Sequence, residues 1–202
     1  MGCGGLIPLL LAAGNQVQVT YVTDGGGSAP GYPNLAELRR AEALAATGLL
    51  GLSSGQLEFL GARDGTLARL DEVGAAALTA QLVATLARLR PTLVLLPCRA
   101  DGSSEHDATF TLFHRALSLT TFHPRVFEFP VWSWWNPLLL RRPLKQSRRV
   151  WRATFPEHAV LKQRALATQV TQVQPLQPGR GPMLTPEFLA FFNRAEEFFF
   201  EA

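Results

Sequence analysis

The sequence predicts an α/β fold: a three-layer, mostly parallel sheet with helices on both faces. Three observations carry this. Strand-like and helix-like segments alternate from the start of the chain to Leu119. Residues 92–97 (TLVLLP) are apolar without a break, as suits a strand in the middle of a parallel sheet. Several strand-like runs end in polar, glycine-containing loops, where such sheets gather ligand-binding groups.

The elements follow in order. Residues 2–14 read as a buried helix stopped by Gly14-Asn15. The apolar run at residues 6–13 lacks a preceding basic residue and is too short to cross a bilayer, so neither a signal peptide nor a span is expected. Leu6 stands where a myristoylation signal needs Ser or Thr. Residues 17–23 (VQVTYVT) form a strand closed by Asp24-Gly25-Gly26-Gly27. A helix follows over 35–50, then a short strand at 57–60 with a turn at 61–65. Residues 75–90 are helical up to Pro91. The apolar strand at 92–97 leads through a polar loop, 100–105, into a helix over 106–119. Residues 125–131 (RVFEFPV) alternate as a strand, and 155–171 read as a helix. A Pro- and Gly-rich loop at 174–186 precedes a final aromatic helix over 187–200. The chain starts on a helix, although a doubly wound domain normally starts on a central strand.

Composition sets the frame. Among 202 residues, 47% are hydrophobic and 17% charged, a balance that supports one globular domain over residues 1–202. The net charge of +3 is too small to argue for a nucleic-acid partner. Cys3 and Cys98 have no paired spacing, so they read as small buried hydrophobes in a reducing, cytoplasmic setting. Residues 132–152 hold Trp132, Trp134 and Trp135, then Leu138 to Leu140, then a basic run that includes Trp151. They read as a loop and strand over the site rim with solvated cations, and membrane contact is not expected, since Pro137 and Pro143 break any long amphipathic helix.

The loop Asp101-Gly102-Ser103-Ser104-Glu105-His106-Asp107 carries the most chemistry. It leaves an apolar strand and enters a helix, and its imidazole suits a metal or proton transfer. Capping of the helix by Ser104, Glu105 and Asp107 explains the same residues without a function. Asp24 and Asp64 stand at equivalent strand ends and belong either to a polar rim with Asp101 and His106 or to ordinary Asp-Gly turns. His114, His123 and His158 read as packing or surface residues.

The order of these segments resembles the PIG-L/LmbE-like family of zinc-dependent de-N-acetylases. That family opens with a strand, a His-Pro-Asp-Asp-Glu motif and a Gly-Cys-Gly-Gly helix start. This chain begins Met1-Gly2-Cys3-Gly4-Gly5, so the resemblance implies that the first strand and the acidic motif are missing. Residues 19–25 are similar to a strand ending in Thr-Asp-Gly, and Arg39 with Glu42 to an Arg-x-x-Glu pair. Phe59-Leu60-Gly61 with Asp64-Gly65 resembles the next turn. Residues 101–106 resemble an Asp-x-His-x-Asp-His loop, and Phe127-Glu128-Phe129 with Trp132 an aromatic strand followed by Trp. Lys162, Ala165, Leu166, Thr171 and Gln172 resemble a late helix. The likeness covers nearly the whole chain.

The resemblance implies a Rossmann-like sheet and hydrolysis of N-acetyl groups on N-acetylglucosamine-type sugars or glycoconjugates. It makes His106 a zinc ligand, Ser103 and Glu105 the catalytic-loop positions, and Asp24, Arg39, Asp64 and Asp101 the substrate rim. The general base and two other ligands belong to the missing motif, and Ser103 replaces a histidine that assists the transition state. The implied consequence is an enzyme inactive in this form, or a sugar-binding pseudoenzyme.

Overall fold

The computed structural model describes residues 1–202, and the chain folds as α/β. In order, the elements are α1 (Leu6–Ala12), β1 (Val19–Thr23), α2 (Leu35–Leu49), β2 (Leu57–Ala62), α3 (Glu72–Leu89), β3 (Leu93–Pro97), α4 (Ser104–Ser118) and β4 (Arg125–Phe129). They continue as α5 (Arg141–Gln146), β5 (Arg149–Thr154), α6 (Ala159–Ala167), α7 (Val170–Val173), α8 (Pro186–Leu189) and β6 (Glu196–Glu201). The residues fall into two compact units. One contains Cys3–Asp64 and Ala153–Glu197, the other Gly65–Arg152 and Phe198–Ala202.

In the first unit β1 and β2 pair in parallel, with Val19 opposite Leu57 and Tyr21 opposite Phe59. The Tyr21 and Phe59 rings stack at 4.9 Å, a cross-strand contact that helps fix the register. Ile7, Leu50, Leu52 and Ala165 form a buried cluster, lined by Leu11, Val19 and Leu57. The helix expected from residue 2 begins only at Leu6. Gly5 sits so close to the Phe155 ring that a Cβ there would meet ring carbons at 2.1 Å. Its amide and that of Leu6 donate to Glu197 Oε1 and Oε2 at 2.8 and 3.0 Å, so a carboxylate closes the start of α1.

In the second unit β3 and β4 pair in parallel from Leu93–Arg125 to Pro97–Phe129. The strand order of this sheet is β3-β4-β6-β5, leaving β5 on the edge. Helix α3 is capped by Asp71, whose side chain accepts from Gly74 N at 2.7 Å, and it packs on α4. Leu78, Leu82 and Leu86 of α3, and Leu112, Phe113 and Ala116 of α4, are buried.

The last segment corrects the sequence reading. Residues 187–200 are not one helix: four residues form α8, and 196–201 form β6. In β6, Phe127 pairs with Glu201 and Glu128 with Phe200, antiparallel to β4. Three consecutive phenylalanines satisfy an aromatic helix face and a half-buried strand equally well in local terms. The exposed ladder edge of β4 decides for the strand.

Candidate active site

The second unit carries the loop that joins β3 to α4. Asp101 lies at its centre and is fully buried. Its Oδ1 accepts from Val131 N at 3.1 Å, Ser133 N at 3.0 Å and Ser133 Oγ at 2.6 Å. Its Oδ2 accepts from Trp132 N at 3.1 Å and stands 2.6 Å from His106 Nδ1. Burial alone pushes the Asp101 carboxyl up. The hydrogen bonds from His106 and from the Ser133 side chain and backbone outweigh it, and the carboxyl is held below the usual range. An ionised carboxylate can only accept, so Nδ1 of His106 carries the proton. In the neutral ring Nε2 is the nitrogen that offers a lone pair, the arrangement that orients metal-binding and general-base histidines alike.

A rim position is expected of Asp101; the structure buries its side chain fully and sets it 2.6 Å from His106 Nδ1. Ser103 is the N-cap of α4, its Oγ accepting from His106 N at 3.4 Å. The capping role expected of Ser104 thus falls one residue earlier. Asp107 accepts from Ala100 N at 2.6 Å, and Glu105 Oε1 accepts from Leu67 N at 3.2 Å. Gly102 has φ +82°, and a Cβ there would meet Leu139 Cδ1 at 2.9 Å. The loop therefore needs glycine at this position.

Next to this loop in the chain, Arg99 and Glu128 form a part-buried ion pair. Glu128 accepts from Arg99 N at 2.9 Å and from the guanidinium, and is 2% exposed. Cys98 is fully buried beside them, and burial raises its thiol pKa. His114 packs against Phe110 and Phe113, and burial holds its pKa below the ordinary value.

The first unit brings Asp24, Arg39 and Asp64 together. Asp24 Oδ1 accepts from Gly26 N at 2.9 Å and from Asp64 N at 3.0 Å. Asp64 Oδ2 accepts from Gly27 N at 3.0 Å and lies 4.0 Å from Arg39 Nη1. Arg39 donates to Gly25 O, and to Ser28 Oγ at 2.7 Å. Burial lowers the Arg39 pKa, opposed by Asp64, Glu42 and Asp24. These carboxylates thus lock the loop after β1 to the loop after β2. Glu42 acts elsewhere. It accepts from Thr171 N and Oγ1, both at 2.7 Å, which ties α2 to α7.

Sequence reasoning missed Ser133 and Arg99, and named Glu128 only as part of the resembled strand 127–129. The available signal was the parallel pairing of β3 with β4, which sets the loops following both strands at one sheet edge. As to a metal, no group of three or more His, Cys, Asp or Glu side chains is placed to hold one. The residues present do not make a complete metal site, and His106 stands as a single donor.

Several solved structures share the fold. A conserved protein from Thermus thermophilus is 24% identical, with TM-score 0.64 over 86% of this chain and 74% of that one. The N,N'-diacetylchitobiose deacetylase from Pyrococcus horikoshii is 16% identical, with TM-score 0.66 over 100% and 78%. The A40926 pseudoaglycone deacetylase Dbv21 is 17% identical, with TM-score 0.61 over 99% and 90%. A search of curated proteins gave no match. The PIG-L family model, described as GlcNAc-PI de-N-acetylase, matches residues 1–117. With more than half of its length matched, and the fold of known deacetylases, this chain belongs to the PIG-L family.

Proposed function

We propose that the protein acts on the N-acetyl group of an acetylated amino sugar or glycoconjugate, of N-acetylglucosamine type, as a zinc-dependent amide hydrolase. The observation that carries this is the Asp101–His106 pair, a buried carboxylate 2.6 Å from an imidazole whose other nitrogen is left to act. Deacetylases of sugar substrates among the structural neighbours support the substrate class. His106 is the proposed zinc donor of the chain. Arg39 and Asp64 are the proposed partners of sugar hydroxyls, and Ser103 and Glu105 the proposed polar groups beside the reacting amide. With one donor in place, turnover by these 202 residues is proposed to be very low.

A second reading, sugar binding without turnover, is favoured by Ser103. It stands where the resemblance expects a histidine, and its oxygen is used to cap α4. A serine there offers no positive charge, a loss on the order of 100-fold in rate where a transition-state donor is removed.

One experiment separates them. The chain is incubated with N,N'-diacetylchitobiose and zinc, acetate release is followed, and sugar binding is measured by calorimetry. Acetate release abolished by His106→Ala supports the hydrolase. Saturable binding without acetate supports the second reading. Neither binding nor release rejects both.

A further inference from the structure

We propose that residues 135–152 form a docking surface for an anionic lipid membrane. Between Phe129 and Pro156 the chain has no carboxylate, while Arg141, Arg142, Lys145, Arg148, Arg149 and Arg152 are all exposed. The whole chain carries only +3, less than this segment alone, so the remainder is net acidic. The positive charge is therefore local, and it points to an anionic partner at this place.

The apolar side chains decide which partner. Trp135, Leu138, Leu144, Val150 and Trp151 are interleaved with the cations, and all are exposed, Leu138 at 63% and Trp135 at 59%. The sequence reading has this stretch packed over a rim with only its cations in water, and the structure instead leaves large apolar groups in water. A nucleic acid would use the charges and stack on the tryptophans, but it has no use for Leu138, Leu144 and Val150. A lipid headgroup layer offers phosphates to the guanidinium groups and an acyl boundary to exposed aliphatic and indole groups.

The segment is also held in shape. Asn136 caps the turn at Leu138, and Ser147 donates to Pro143 O. Arg148 N donates to Glu201 O at 2.9 Å, and Trp151 Nε1 to Glu201 Oε2 at 2.8 Å. Glu201, the carboxylate against this surface, is further engaged by Arg125 at 2.9 Å. No helix is long and apolar enough to cross a membrane.

The test is co-sedimentation of the chain with vesicles of pure phosphatidylcholine, and with vesicles containing about one third phosphatidylglycerol. The expected result is at least about tenfold stronger binding to the anionic vesicles, weakening as salt rises. The variant Arg141→Glu/Arg142→Glu/Arg149→Glu loses about 100-fold. Leu138→Ala/Leu144→Ala keeps the charge and loses about tenfold. Thermal melts establish that each variant folds, and Arg141→Gln/Arg142→Gln/Arg149→Gln replaces the first variant if it melts early. Equal binding to both vesicle types overturns the proposal. So does full anionic-vesicle binding by the leucine variant, or binding to polyuridylate with none to anionic vesicles.

Discussion

Lys162 and Glu197 meet at 2.9 Å inside the first unit, and their side chains are 2% and 4% exposed. The same carboxylate closes the N-terminal turn of α1, and the ammonium lies over the Phe155 ring. Two charges this far from water are costly apart and tolerable together. Lys162→Met is expected to destabilise the protein by about 3–5 kcal/mol, because it strands Glu197. Lys162→Met/Glu197→Gln is expected to recover part of that loss, since Gln keeps one acceptor for the α1 amides. Urea unfolding of both variants gives the comparison.

Asp101 is expected to contribute to the acid stability of the second unit. Its folded pKa lies below the ordinary value of ~3.9. Its contribution to stability is therefore fully present above that value, and is lost as pH falls through the lower folded pKa. Asp101→Asn is expected to lower stability at neutral pH by about 3 kcal/mol, through mismatched donors at Val131, Trp132 and Ser133. It is also expected to flatten the acid limb of a plot of stability against pH. An unchanged acid limb in Asp101→Asn would assign the acid sensitivity to other groups.

The glycines before α1 differ in how much room they have. A Cβ on Gly5 would lie 2.1 Å from the Phe155 ring, whereas one on Gly4 would find its nearest neighbours at 3.8 Å. Gly5→Ala is expected to cost about 3 kcal/mol or more from overpacking, and Gly4→Ala less than about 1 kcal/mol. Melting temperatures of the two variants, measured side by side, test the contrast.

Burial pushes the Cys3 thiol up to about 11, and Cys98 is raised as well and fully enclosed. Thiolate is the reactive form, so a disulfide reagent at pH 8 is expected to label the folded protein slowly, by about 100-fold or more relative to a free thiol. Unfolding in urea should release both thiols at the ordinary rate. Fast labelling without denaturant would show that the part-buried Cys3 thiol reacts in the folded chain.

Much of the fold was legible because its signals are local. The run from 92 to 97 became β3, Pro91 and the polar loop bounded it, and α2 and α4 appeared close to their expected limits. What the sequence hid depends on partners distant in the chain. Phe198, Phe199 and Phe200 read as helix until β4 offers them a ladder. Asp101 reads as a rim residue, and its side chain accepts from the amides of Val131 and Ser133. Asp24 and Asp64 read as rim or turn residues, and their hydrogen bonds join the loops after β1 and β2.

The Asp101 carboxylate fastens the segment after β3 to the turn after β4, and it also aims the His106 ring. Imidazole alignment therefore shares the cooperativity of the sheet. Warming the protein should not loosen the ring gradually while the strands persist. The orientation of His106 should instead vanish in the same all-or-none step that parts β3 from β4, so that the histidine resonances and the backbone signal report a single transition.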